Sequence, residues 1–162
     1  MKSIKSHILL IFLASIMILS LVSCSMNKTP IDTDAFIEAA KTYGLTPVDI
    51  TEQYKSSGYV NKGTIAAKSE DGVNILYQIE FYEIDTVDNA ESMFAQNKQS
   101  FENDQDSANS YSSVNVGNHE HYNITIDGRY KSVRRIENTL IFLNVDVQYK
   151  DSVNEFLDTI GY

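Results

Sequence analysis

Between Tyr59 and Ile84 apolar and polar residues alternate with a period of two. This predicts strands over Val60 to Lys68 and Val73 to Ile84, joined by a turn at Glu70-Asp71-Gly72. Val73, Ile75, Tyr77, Ile79 and Phe81 are expected on one buried face, with Asn74, Gln78 and Glu80 opposite. The period then changes. Val87, Ala90, Phe94, Asn97 and Phe101 return every three or four residues opposite Glu91, Lys98 and Glu102, so a helix follows, with Asp85 as its expected N-cap. An earlier helix is expected from Thr33, whose hydroxyl caps it, carrying Phe36, Ile37, Ala40 and Tyr43 at helical spacing. Gly44 ends it in a Schellman turn that folds Leu45 back on the last turn, and Pro47 stops any continuation. Val48 to Ser57 is open between a short strand and a helical turn boxed by Asp49 and Glu52.

Asn103 to Ser113 holds almost no apolar residue and reads as a surface loop. Short strands follow at Val114 to Val116, Tyr122 to Ile126, Tyr130 to Ile136 and Leu140 to Val147, separated by turns at Gly117-Asn118, Asp127-Gly128 and Glu137-Asn138. Closely spaced turns of this kind imply an antiparallel meander. A final helix is expected behind a Ser152/Glu155 capping box, with Val153, Phe156, Leu157 and Ile160 inward and Gly161 at its end. The order strand, turn, strand, helix occurs twice, with Asn74-Ile-Leu and Asn138-Thr-Leu in matching places, which raises the expectation of a degenerate duplication. The expected fold is α+β, a single antiparallel sheet of about five or six strands with two or three amphipathic helices packed on one face and the other face partly solvated.

The first residues follow a different logic. Lys2 and Lys5 precede an uncharged stretch from Ile8 to Val22, and Ser23 precedes the lone cysteine, Cys24. That is the order of an export signal, and the stretch falls short of the ~20 residues a transmembrane helix needs. Leu21-Val22-Ser23-Cys24 resembles the lipobox of bacterial lipoproteins, a resemblance confined to the first 24 residues. It implies cleavage between Ser23 and Cys24 and diacylation of the Cys24 thiol. The expected organisation is a cleaved signal at 1–23, a lipidated N-terminus and flexible linker at 24–32, and a globular domain at 33–162. Two acyl chains suffice for stable anchoring. The expected location is the outer face of the cytoplasmic membrane, with a Gram-positive envelope favoured.

Charge narrows the partners. The whole chain carries 13 basic and 22 acidic residues, and Lys2 and Lys5 leave with the signal, so the mature chain stands at eleven against 22. Nucleic acid is excluded as a natural partner, and the folded domain is not expected to spread on anionic lipid. An acylated Cys24 leaves no thiol for a disulfide, a nucleophile or a metal site. No Gly-x-Ser-x-Gly elbow, phosphate-cradling glycine loop or metalloprotease helix occurs, and Asp85 and Asp88 read as helix-dipole charges. No catalytic residue and no cofactor is implied.

The candidate site is a run of four basic residues within seven positions, Arg129, Lys131, Arg134 and Arg135, suited to an anion or a protein partner. The same charge on a solvated strand discourages sheet aggregation. Two registers exist for the Asp127-Gly128 hairpin. A two-residue loop pairs Ile126 with Arg129 and Ile124 with Lys131. A three-residue loop pairs Ile124 with Tyr130 and Tyr122 with Ser132, and is preferred because it segregates apolar from charged residues. It places His119, His121, Asn123 and Thr125 beside Arg129, Lys131 and Arg135 as a cationic strip. His119 and His121 share one side of a strand and are metal candidates, but no third ligand is adjacent in sequence. The acidic run from Asn103 to Asp106 fails the EF-hand spacing, since Asn109 stands where glycine belongs. Asn123-Ile124-Thr125 is a sequon of no consequence behind a bacterial lipidation signal. Tyr77 and Tyr122 have core-facing spacing. The expected function is that of a membrane-anchored, non-enzymatic binding or accessory lipoprotein, partnered by an envelope protein or small ligand. The alternatives are an envelope hydrolase with a carboxylate site and a metal-binding lipoprotein using His119 and His121.

Overall fold

Helix α1 (Thr33–Thr42) is set by its ends. Its N-cap is Asp32 rather than Thr33: the Asp32 carboxylate accepts the Ala35 N–H at 2.8 Å, and Thr33 lies one residue further in, buried. Its C-terminus is the expected Schellman turn. Leu45 N–H bonds Ala40 C=O at 2.8 Å and Gly44 N–H bonds Lys41 C=O at 3.0 Å, with Gly44 at a φ of 76° that its missing Cβ permits. The two readings of Val48 to Ser57 occur in succession. Strand β1 (Thr46–Asp49) ends where Asp49 Oδ1 accepts the Thr51 N–H at 2.7 Å, and the helical turn α2 (Thr51–Tyr54) and a 3-10 turn (Lys55–Ser57) follow.

This computed structural model describes residues 27–103 and 108–162; the signal segment, Cys24 and positions 104–107 of the expected polar loop lie outside them. The remaining elements are β2 (Val60–Ser69), β3 (Ile75–Ile84), α3 (Val87–Glu102), β4 (Ser110–Val116), β5 (His119–Ile126), β6 (Arg129–Ile136), β7 (Thr139–Asp146) and α4 (Lys150–Thr159). Thr86 caps α3, accepting the Asn89 N–H at 3.2 Å, while Asp85 is engaged by the Asn89 side chain. Helix α4 begins at Lys150 with no side-chain cap, so Ser152 lies inside it rather than at its start.

The strands form one antiparallel sheet in the order β1-β2-β3-β7-β6-β5-β4. The α+β class is as the sequence predicts, with seven strands instead of five or six. The additional strand length lies at the edges, where apolar alternation is missing: β1 is four residues with Pro47 inside it, and β4 begins at Ser110 with Ser-Tyr-Ser-Ser, in what reads as loop. Helix α3 carries the chain from β3 across the sheet to the far edge, and β4 to β7 meander back to pair with β3.

Helices cover both faces, where the sequence predicts one covered and one partly solvated face. Helices α1 and α4 bury Phe36, Phe156 and Leu157 against Ile79, Phe81, Ile141 and Leu143, and Phe36 stacks on Phe81 at 4.6 Å. On the other face α3 and the α2 turn bury Ala90, Phe94, Phe101 and Ile50 against Tyr82, Ile84, Leu140 and Val133. The central strands have apolar residues at both parities, as in Leu140-Ile-Phe-Leu, and such two-sided strands require cover on both sides. Tyr77, Ile79 and Phe81 are buried as expected, whereas Val73 and Ile75 are 81% and 63% exposed because the β2–β3 hairpin projects past the helices. The helices also decide the question of duplication. A two-fold that exchanges adjacent antiparallel strands β3 and β7 keeps each face in place, so a true repeat puts α3 and α4 on one face; they lie on opposite faces.

Candidate functional site

Register decides where the basic run goes. The pairs are Ile126 with Arg129, Ile124 with Lys131 and Tyr122 with Val133, so the two-residue Asp127-Gly128 turn forms and the preferred three-residue loop does not. Asp127 and Gly128 both have left-handed φ, 49° and 73°, the combination whose twist matches a tight hairpin. Pairing cations with isoleucines is tolerated because long basic side chains lay aliphatic stems on apolar neighbours and keep their charge outward. Lys131 Nζ sits 5.7 Å from the Phe101 ring centre.

The expected strip therefore divides. Arg129, Lys131 and Arg135 face α3, and Arg134 faces α4 together with His119, His121, Asn123 and Thr125. Arg129 donates to Asn144, at 3.0 Å from Nε to Oδ1 and also from Nη2 to its carbonyl. Arg135 is 3% exposed and engaged at all three nitrogens: Nε and Nη2 bond Glu120 Oε1 at 3.0 and 2.6 Å, Nη2 lies 3.3 Å from Glu91, and Nη1 bonds the Glu137 carbonyl at 2.9 Å. That network ties α3 to β5 and β6.

Arg134 is built differently. It is 8% exposed, yet its bonds go to neutral acceptors, Nε to Ser132 Oγ at 3.3 Å and Nη2 to Asn154 Oδ1 at 2.5 Å. Among the described residues no carboxylate forms an ion pair with it. Beside it opens a pocket of about 350 Å³. The floor comes from side chains brought level by strand pairing, Ser110 with Thr125 and Ser112 with Asn123, which continue into Tyr130 on β6, while Ser132 in the next row is fully buried. The wall is the first turn of α4, where Lys150 and Asn154 stand four residues apart and so share a face. Asn154 Oδ1 also accepts the Tyr130 hydroxyl at 3.0 Å, and Lys150 Nζ lies 5.3 Å from the Tyr130 ring centre. Among the described residues no acidic side chain lines this pocket.

The cavity exists because α4 covers the sheet only as far as β6. Beneath it the same rows are apolar, Val145, Leu143 and Ile141; past its rim they turn to hydroxyls and amides. Further along this face, Lys28 adds positive character beside His121. Burial, reinforced by Arg134 and Lys28, pushes His121 below the ordinary imidazole value, and burial with Arg134 lowers Lys28 against an opposing Asp158. Lys28 is held in place: its backbone N–H and C=O bond both ends of the Asn118 amide at 2.9 and 2.8 Å, so residues the sequence assigns to the spacer lie on the domain.

His119 and His121 do share a face, but no group of three or more His, Cys, Asp or Glu among the described residues is arranged to hold a metal. The cationic neighbours of His121 work against a metal ion there. No helix among the described residues is long and apolar enough to cross a membrane. Sequence reasoning missed Lys150, Asn154 and Tyr130. The i, i+4 spacing of the first two was legible, and the opposite parity of Arg134 and Arg135 showed that the run could not be one surface. No family model, curated protein or solved structure matches the chain.

Proposed function

We propose that the protein is an extracytoplasmic lipoprotein, anchored through Cys24 to the outer face of the cytoplasmic membrane, that binds an envelope ligand in the Arg134 pocket without turning it over. The lipobox-like order of Leu21 to Cys24 supports the anchor. The observation that carries binding is the guanidinium of Arg134, buried beside an open pocket and held only by neutral acceptors. Removing a cation from water costs several kcal/mol unless an opposite charge compensates it. Where no carboxylate among the described residues fills that role, an anionic ligand does.

Intact mass and membrane fractionation of the native protein beside Cys24→Ala test the anchor. A diacylated chain beginning at Cys24, with release of the variant, is expected; an unacylated chain starting elsewhere overturns it. Native mass spectrometry of protein purified from its own membranes tests binding. A bound mass retained by the wild type and lost in Arg134→Gln is expected, and identical spectra overturn it. Turnover of an envelope substrate that depends on one residue overturns the non-enzymatic reading.

A further inference from the structure

The chemistry of the pocket specifies more than an anion. Of the five N–H bonds of a guanidinium, Arg134 commits Nε to Ser132 and one Nη2 hydrogen to Asn154. Three N–H bonds are left uncommitted among the described residues, enough for a charge-assisted contact with the oxygens of a carboxylate or phosphate. Lys150 supplies a second cation at the α4 wall. Two cations suit one anionic group, and eleven basic against 22 acidic residues in the mature chain disfavour a polyanion.

The rest of the lining is neutral and mixed, with hydroxyls and amides beside Tyr111, Ile124 and Tyr130. Ser110, Ser112, Asn123 and Thr125 lie on one face in two cross-strand pairs, and the Asn154 amide nitrogen donates to no acceptor among the described residues. The polar groups satisfy ligand hydroxyls, and the tyrosines suit the face of a ring better than an extended alkyl chain. The volume of about 350 Å³ lies at the lower end for small-molecule sites, enough for one ring-sized molecule and too small for a long lipid.

We infer that the pocket binds a single acidic sugar unit, a hydroxyl-rich ring bearing one carboxylate or one phosphate ester, with its anion on Arg134 and its hydroxyls on the β4–β5 side chains. This rests on the binding reading above and names its ligand class.

The test is calorimetric titration of the full chain in non-ionic detergent at low ionic strength with D-glucuronate, glucose 6-phosphate, D-glucose and acetate. At least one acidic sugar is expected to bind roughly tenfold or more tightly than glucose, since a charge-assisted hydrogen bond is worth about that factor, and roughly tenfold more tightly than acetate, through the neutral hydrogen bonds of its hydroxyls. The glucuronate and phosphate arms distinguish the two anions. Arg134→Gln is expected to lose roughly tenfold or more, while Arg129→Gln, on the opposite face, changes nothing. Lys150→Ala sits at a half-exposed position that does not hold the fold, and it is expected to weaken the acidic sugar and not glucose. Equal binding of glucose and the acidic sugars, insensitive to Arg134→Gln and Lys150→Ala, overturns the class. Silence from all four probes beside an Arg134-dependent bound mass overturns the class and leaves binding standing; silence in both experiments overturns both.

Discussion

Glu120→Ala removes the main partner of a cation that has nowhere else to go. The Arg135 side chain is 4% exposed, and Glu120 holds it through two bonds to one oxygen, at 2.6 and 3.0 Å. Breaking a buried pair from one side costs about 3–5 kcal/mol, because the remaining charge stays out of water. Glu91 remains at 3.3 Å, but its side chain is 52% exposed and solvent weakens its compensation. The Glu137 carbonyl also remains, so the loss is expected near the lower bound, ~3 kcal/mol. In urea denaturation of the purified protein, a slope of about 1–3 kcal/mol per molar converts this to a midpoint lowered by about 1–3 M. The double variant Glu120→Leu with Arg135→Met removes both charges and keeps packing volume, and is expected within ~1 kcal/mol of the wild type. A single variant within ~1 kcal/mol of the wild type, or a double variant less stable than the single, refutes the assignment of this network as a buried pair with a large desolvation cost.

Tyr82 and Tyr162 are held above the ordinary tyrosine value of 10, in both cases chiefly by burial, with Glu80 and Tyr54 adding to the effect on Tyr82 and Thr139 opposing it on Tyr162. The unfolded chain loses these protons first, so stability is complete below pH 10 and falls as pH rises above it; urea midpoints across that range should show the decline, and Tyr82→Phe should reduce its slope. His121 is displaced the other way, below 6.5, so its contribution is complete above pH 6.5 and is lost as pH falls towards its folded value. Imidazole resonances should show His121 neutral at a pH where a free histidine is half protonated, and His121→Gln should flatten the acid side of the stability profile; a normal titration contradicts the buried, cation-flanked placement.

The sequence determined what local chemistry determines. Helix α1 ends at Gly44 because only a left-handed residue closes that turn, α3 and α4 present their inward residues at helical spacing, and the turns at 70–72, 117–118, 127–128 and 137–138 divide the strands. The antiparallel α+β class follows from that order. The edges were illegible because β1 and the start of β4 need no apolar alternation where one side or both meet water. The site was illegible for a different reason. One residue of slip in the β5–β6 hairpin moves every side chain to the other face, and the turn settled that slip in favour of its own twist, against the simpler segregation of charge. Only the tertiary structure then decided that Arg135 meets Glu120 while Arg134, its neighbour in sequence, meets Asn154 at the rim of α4. A strand fixes which residues share a face, but what that face encounters is set by elements distant in the chain. Here it is the reach of α4 that leaves one guanidinium buried and, among the described residues, without a carboxylate.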